Sequence, residues 1–376
     1  MSGAEVDPNS SGFDVGAFDA YLRDRTESDL FAGVVRVDHQ PSGGPHTVLL
    51  EQGYGLASRA WGVPCTPDIR FDTASVTKLF TAVATLQLVD AGAFGLDTSV
   101  TEYLELRGTP ISSKATPYHM LTHSSGIADD ADEEAGERYE DLFIDTPNYS
   151  FRETKDLLAG FIDKPPNFAP GEGTRYNNAG YLLLGLMIER ATGMSYREYV
   201  RQQVFEKAGM TGAVFASSDI VTPRIAEGAD PIRHEAGTVT AWKRNIFSYP
   251  PTGSPDGGAH VTAADLVAFH DALQDGALLS DELTAEMLKP HELYRTRKVG
   301  AQYTGYGFMF STDAAGEVET YWKEGINVGA SGILSRYPRS ALTLVILSSM
   351  EDGAWEPLAE VDRMLGVNTP DPDTID

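Results

Sequence analysis

The chain has 376 residues, 41% hydrophobic and 22% charged, the composition of a folded protein with one large core or two domains. Asp and Glu number 55 against 29 Lys and Arg, a formal net charge of −26. Such a field repels polyanions, which argues against nucleic acid or anionic membrane as partners, and no apolar run reaches membrane-spanning length. Only 9 of the basic residues are Lys, and an acidic, lysine-poor surface suits high salt, where screening removes self-repulsion. An ordinary acidic enzyme is the alternative. The opening MSGAEVDPNSSGFD lacks a basic start followed by an apolar stretch, so it does not read as a secretory signal and a cytoplasmic location is expected. One cysteine, Cys65, excludes an intramolecular disulfide and a cysteine metal cluster, and is expected to be a buried or half-buried thiol.

In chain order, residues 1–12 are expected to be disordered. DVGAFDAYLRDRTES predicts a first helix with Val15, Phe18 and Leu22 on one side. FAGVVRVDH and HTVLLEQGYGLAS, broken by QPSGGP, predict a hairpin. VTKLFTAVATLQLVDAG predicts a helix capped by Asp72 or Thr73 and ending at Gly92. AGYLLLGLMIERATG and TAADLVAFHDALQDG predict two more helices. YGFMFST, VETYWKEG, ASGILSRYP and ALTLVILSS predict four strands, followed by a helix over AWEPLAEVDRML and a disordered tail, NTPDPDTID. Strands at both ends around a helical middle predict an α+β fold. Its antiparallel sheet would be built from residues 13–72 and 295–376, with a mainly helical domain over 73–294 and the active site at the interface.

Three short patterns carry chemistry. Ser75 and Lys78 are three apart, so on a helix Oγ and Nζ can meet. A serine needs a neighbour to accept its proton, and a lysine can do so once burial and nearby positive charge move its pKa towards neutrality, a shift of roughly 4 kcal/mol. The N–H groups of a first helical turn can hold an oxyanion. Read alone, the pair is equally a helix start with a snorkelling lysine. Tyr176 and Asn178 stand in a Gly- and Pro-rich loop before an apolar helix. There a phenol can exchange protons and an amide can hold a carbonyl or a lysine, or Asn177 or Asn178 simply caps the helix. Lys323 and Gly325 lie on a strand, where glycine permits close backbone approach. Lys-x-Gly also occurs at 207–209 and 298–300, but only the copy at 323–325 is framed by strands.

Together these pieces resemble the serine β-lactamase and penicillin-binding-protein-like hydrolases, in particular their class C-like branch with its family VIII-type esterases. In order, they match the family's Ser-x-x-Lys, Tyr-x-Asn and Lys-Thr-Gly motifs. FDTASVTKLFTAVATLQLVDAGAFGLDTSV, TPYHMLTHSSGI, FAPGEGTRYNNAGYLLLGLMIERATG and LLSDELTAEML match flanking segments, and the likeness spans roughly residues 15–365. It implies a β-lactamase/transpeptidase-like fold and an acyl-enzyme on Ser75, with Lys78 as proton acceptor and Tyr176 as the acid or base that activates the deacylating water. It further implies that Asn178 contacts substrate and the lysine, that Lys323 holds Tyr176 and substrate, and that backbone N–H groups of Ser75 and Ile326 form the oxyanion hole. No metal or cofactor is expected. Glu324 departs from the pattern, standing where the family carries Thr or Ser, a hydroxyl that helps bind a substrate carboxylate. A carboxylate there would repel anions unless strand alternation turns it away.

Other readings fare worse. His119 and His123 have i, i+4 spacing, but a zinc protease would need Glu where Met120 stands. Packing and hydrogen bonding near THSSG is expected instead. DDADEEAGERYEDLFID lacks a calcium-loop register and is expected to be a solvated loop bordering the cleft. GYGLAS lacks a third glycine for a dinucleotide, and no Gly-x-Ser-x-Gly elbow is present. The expectation is a carboxylesterase on small uncharged acyl esters. Amide hydrolysis of D-aminopeptidase, amidase or β-lactamase type is the alternative, and a non-catalytic ligand-binding module on the same fold is the rival from another class.

Overall fold

The computed structural model describes residues 12–41, 44–235 and 237–367. Apart from Gly12, the terminal stretches expected to be disordered lie outside these residues. Helix α1 (Val15–Glu27) starts where Asp14 Oδ1 accepts the Ala17 N–H at 2.9 Å, and it buries Phe18 and Leu22. Strands β1 (Gly33–His39) and β2 (Thr47–Tyr54) form the expected antiparallel hairpin, with a register shift between Val37 and Asp38. Helices α2 (Lys78–Asp90), α3 (Ala179–Thr192) and α4 (Ala263–Gln274) make up much of the middle. Strands β3 (Glu292–Thr296), β4 (Ala301–Thr304), β5 (Met309–Thr312), β6 (Val318–Asn327), β7 (Ala330–Tyr337) and β8 (Leu342–Ser348) lead into helix α5 (Trp355–Leu365).

The sheet has eight antiparallel strands in the order β2-β1-β8-β7-β6-β5-β4-β3. The pairing of β1 with β8, from Gly33 opposite Ser348 to His39 opposite Leu342, joins the N-terminal hairpin to the C-terminal meander. This is the α+β, β-lactamase/transpeptidase-like architecture. Strands β3 and β4 had no clear counterpart among the predicted elements. Their sequence, ELYRT and AQYT, is half polar, as suits strands at a sheet margin.

One face of the sheet packs on α1 and α5 through Phe18, Leu22, Ile333, Ile346 and Val361. The other packs on the helical middle. Helix α2 is buried nearly all round, from Lys78 to Leu88, which is why its apolar residues show no single stripe. Phe80 fixes it between Phe205 and Phe269, edge to face at 5.0 and 5.1 Å. Helix α4 opens on a reciprocal cap in which Thr262 and Asp265 serve each other's backbone N–H, and α3 closes on Gly193 at φ +69°. Cys65 is buried, and burial pushes its thiol up to about 12. Among the described residues, no helix is long and apolar enough to cross a membrane.

Candidate active site

The segment before α2 is not α-helix from its start. Residues Ala74–Thr77 form a turn of 3-10 helix, and Lys78 opens the α-helix proper. In a 3-10 turn, side chains at i and i+3 eclipse, which brings Lys78 Nζ to 3.0 Å from Ser75 Oγ. Ala74 holds φ at +42°, a conformation costing a β-carbon residue of order 1–3 kcal/mol. The turn is braced from outside: Thr73 donates its N–H to Ala259 O at 2.9 Å, and Gly258 donates to Ala74 O at 3.2 Å. Of the two expected caps, Asp72 Oδ1 accepts the Ala74 N–H, whereas the Thr73 hydroxyl donates to Ala259 O.

Lys78 is fully buried. Its Nζ also donates to Asn178 Oδ1 and to the main-chain oxygen of Asp256, both at 2.7 Å. Asn178 is available because its neighbour does the capping. Asn177 Oδ1 accepts the Gly180 N–H at 2.7 Å, while its amide donates to Ile127 O. The N–H groups of Asn178 and Ala179 both go to the Asp129 carboxylate, at 2.8 Å each. Asp129 thus fixes the first turn of α3 and with it the reach of Asn178. Burial, and then the neighbouring Asp130, raises the Asp129 pKa; the two N–H groups and Lys78 oppose that rise. The acidic run beginning at residue 129 is therefore not a solvated loop at its start: Asp129 and Asp130 are buried.

Tyr176 stands between two lysines. Lys78 Nζ lies 5.0 Å and Lys323 Nζ 4.8 Å from the centre of its ring. His123 lies against that ring at 4.7 Å and against Tyr181 at 5.3 Å. Burial first, then the charges of Lys323 and Lys78, depress the His123 pKa well below its ordinary value, so the imidazole is neutral. Its Nδ1 accepts the Asn177 N–H at 3.1 Å, which puts the ring proton on Nε2. His119 instead meets Thr116 Oγ1 at 2.7 Å. Behind the loop, Glu134 Oε1 accepts from the Tyr176 N–H and from Tyr294 OH, at 3.0 and 2.7 Å.

Gly325 brings β6 against the Ser75 turn. A β-carbon at that position would stand 2.1 Å from Thr73 O and 2.7 Å from Ser75 N, so no other residue fits without displacement. Ser75, Lys78, Tyr176, Asn178, Lys323, Gly325 and Ile326 are thus assembled around one point. Ser75 and Ile326 line two cavities, a smaller one towards Tyr249 and His260 and a larger one towards Tyr176 and β3. Alternation on β6 sends Lys323 to the helix-packed face and Glu324 to the other, beside Trp322 and Ile333. Even so, Glu324 lines the larger cavity. The pairing of β5 with β6 ends at Met309 opposite Trp322, so the sheet is open beyond that point and the cavity passes through it.

No local pattern in the sequence marks Asp129, His123, Glu134 or the main-chain oxygen of Asp256 as parts of the site, because each meets it through a partner distant in the chain.

Comparison with known proteins agrees with this geometry. The family model described as Beta-lactamase matches residues 45–367. Esterase EstB of Burkholderia gladioli is 29% identical over 342 residues, covering 82% of this chain and 83% of its own length. The solved penicillin binding protein from Bacillus halodurans is 32% identical with a TM-score of 0.81, covering 92% of this chain and 99% of that one. D-amino acid amidase from Ochrobactrum anthropi SV3 shares the fold, with a TM-score of 0.72 at 22% identity and coverage of 96% and 99%. On the breadth of the family match and the fold it shares with these proteins, the chain belongs to the β-lactamase family.

Proposed function

We propose that this protein is a serine hydrolase working through an acyl-enzyme on Ser75, and that its substrates are small acyl esters. The observation that carries the reading is the 3.0 Å contact of Lys78 Nζ with Ser75 Oγ, made while Asn178 Oδ1 and Asp256 O also accept from Nζ. A neutral amine keeps two N–H bonds to those carbonyls and offers its lone pair to the serine proton; an ammonium keeps them and donates back to Oγ. Proton transfer between Oγ and Nζ then needs no rearrangement of the surroundings.

In this mechanism Oγ attacks the substrate carbonyl carbon as neutral Lys78 takes its proton, and Lys78 passes that proton to the departing alkoxide, which leaves as the alcohol. Water then cleaves the ester to Ser75, and its proton passes through the Tyr176 hydroxyl, whose ring lies beside Lys78 and Lys323, to Oγ as the serine departs. Lys323 holds Tyr176 and the substrate, and Asn178 holds Lys78 and the substrate. The oxyanion is received by the N–H groups of Ser75 and Ile326. Support for Ile326 comes from the pairing of β6 and β7. Their two-residue turn closes on the Asn327–Ala330 pair, so the next residue, Ile326, directs its backbone groups away from β7. The cleft would lie between the sheet region and the helical region; the C-terminal part of the sheet begins at Glu292 with β3, three residues before the expected boundary at 295.

Similarity to esterase EstB supports an ester substrate, and Glu324 on the cavity wall disfavours an anionic one. The test is a panel of p-nitrophenyl esters, D-amino acid amides and a chromogenic cephalosporin, given to wild type and Ser75→Ala. Ester turnover should exceed the other two and vanish in the variant. Equal turnover by both proteins removes the reading.

A further inference from the structure

The larger cavity does not end at the nucleophile. From Ser75 and Gly325 it continues through the open part of the sheet to a chamber walled by Trp322, Ile333, Trp355 and Leu358. Two carboxylates and the Arg295 guanidinium line this cavity; Arg295 lies over the Tyr294 ring at 4.8 Å, and the carboxylates differ in what they meet. Glu134 is engaged by Tyr294 OH, by the Tyr176 N–H and, at 3.5 Å, by Arg175. Glu324 Oε2 is buried and meets no donor among the described residues. Leaving a buried acceptor without a partner costs about 1–3 kcal/mol, so a donor brought to Oε2 of this half-buried residue, by water or by a ligand, is favoured.

We infer that Glu324 is a specificity determinant of the Ser75 site: the substrate's acyl group carries a protonated amine, which enters the chamber and pairs with this carboxylate. The inference rests on the acyl-enzyme reading and names its substrate class. Three observations select a cation over a neutral hydrogen-bond donor. The unspent group is a carboxylate. Two tryptophans, whose ring faces attract ammonium groups more strongly than those of other aromatic residues, line the same chamber. The whole molecule carries a formal charge of −26, which draws cations towards a cleft. Glu324 is also the position at which the chain departs from its family's motif.

The test compares three methyl esters of matched length: methyl 6-aminohexanoate, methyl heptanoate and monomethyl pimelate. Wild type should favour the cationic ester over the neutral one by roughly tenfold or more in kcat/KM, with the anionic ester last, tenfold being about 1.4 kcal/mol. E324Q, nearly isosteric, should bring the cationic-to-neutral ratio close to one, and E324K should invert the order of cationic and anionic esters. A ratio equal in wild type and E324Q overturns the inference while leaving the acyl-enzyme intact. Hydrolysis of methyl heptanoate that is as fast in Ser75→Ala as in wild type overturns the acyl-enzyme itself. The same contrast is readable without turnover, from protection of Ser75 against a fluorophosphonate. Hexylammonium should protect wild type better than 1-hexanol and lose that advantage in E324Q; equal protection by the two in wild type speaks against the amine.

Discussion

Gly325 on β6 lies so close to Ser75 that a β-carbon added to the glycine would stand 2.7 Å from the serine nitrogen. The nearest atom, Thr73 O at 2.1 Å, is backbone too, and that oxygen also accepts the Val76 N–H of the turn. Neither neighbour can swing aside as a long side chain would. Gly325→Ala should therefore push the Ser75 turn and β6 apart, lowering ester kcat/KM by about 100-fold or more. The accompanying loss of stability should be about 1–3 kcal/mol, by overpacking. Steady-state kinetics with denaturant melts check both.

The adjacent asparagines should separate cleanly. Asn177→Ala removes the acceptor for the Gly180 N–H, and should cost about 1 kcal/mol of stability. Asn178→Ala removes one of the carbonyls that hold buried Lys78, and should cut kcat by about 100-fold. The ratio of activity loss to stability loss, compared between the two variants, checks the assignment. Similar ratios in both would show that Asn178 acts only structurally.

Tyr176→Phe keeps the ring between Lys78 and Lys323 and against His123, and removes only the hydroxyl. Acylation of Ser75 should persist while deacylation slows by about 100- to 10,000-fold, the usual worth of a general acid or base. A pre-steady-state burst of one p-nitrophenolate per chain followed by near arrest is the expected trace. A slow trace with no burst would place the loss before the acyl-enzyme.

His123 makes a pH prediction. Its pKa is depressed in the folded state by burial and by the two lysines, from an ordinary value of 6.5. Above pH 6.5 it is neutral in both states and has no effect. As pH falls below 6.5 the unfolded chain binds a proton that the folded chain refuses, so stability is lost towards the lower folded value. One such group contributes at most about 1.4 kcal/mol per pH unit. His123→Asn, a residue that tolerates the φ of +57° there, should flatten the fall in urea midpoint between pH 6.5 and 5.5. Asp362, raised by burial to about 6, acts in the opposite sense, and cancels when wild type and variant are compared.

What the sequence disclosed follows the range of the interactions involved. Helix α3 was legible because its apolar run ends at Gly193, and the β1–β2 hairpin because QPSGGP breaks two β-branched runs. The Ser75, Tyr176 and Lys323 segments were legible through their order and setting. Asp129 was not, because its partners are the N–H groups of residues 178 and 179, supplied by a helix 49 residues on. In the sequence it looks like the first residue of a charged loop. His123 was weighed against zinc and helix packing, while its neighbours, Tyr176 and Lys323, arrive from two other segments. Glu324 was read as either in or out of the cleft by alternation. The sheet offers a third outcome, since its opening beyond Trp322 lets the cavity reach the face to which alternation sends Glu324.

The central claim is that Ser75 becomes acylated. Wild type, Lys78→Ala and Ser75→Ala should be treated with a p-nitrophenyl ester or a fluorophosphonate, quenched, and read by peptide mass spectrometry. The account predicts one adduct per chain, on the peptide containing Ser75, forming at least about 100-fold more slowly in Lys78→Ala and absent in Ser75→Ala. An adduct on any other residue, or labelling of Ser75→Ala at the wild-type rate, would contradict it.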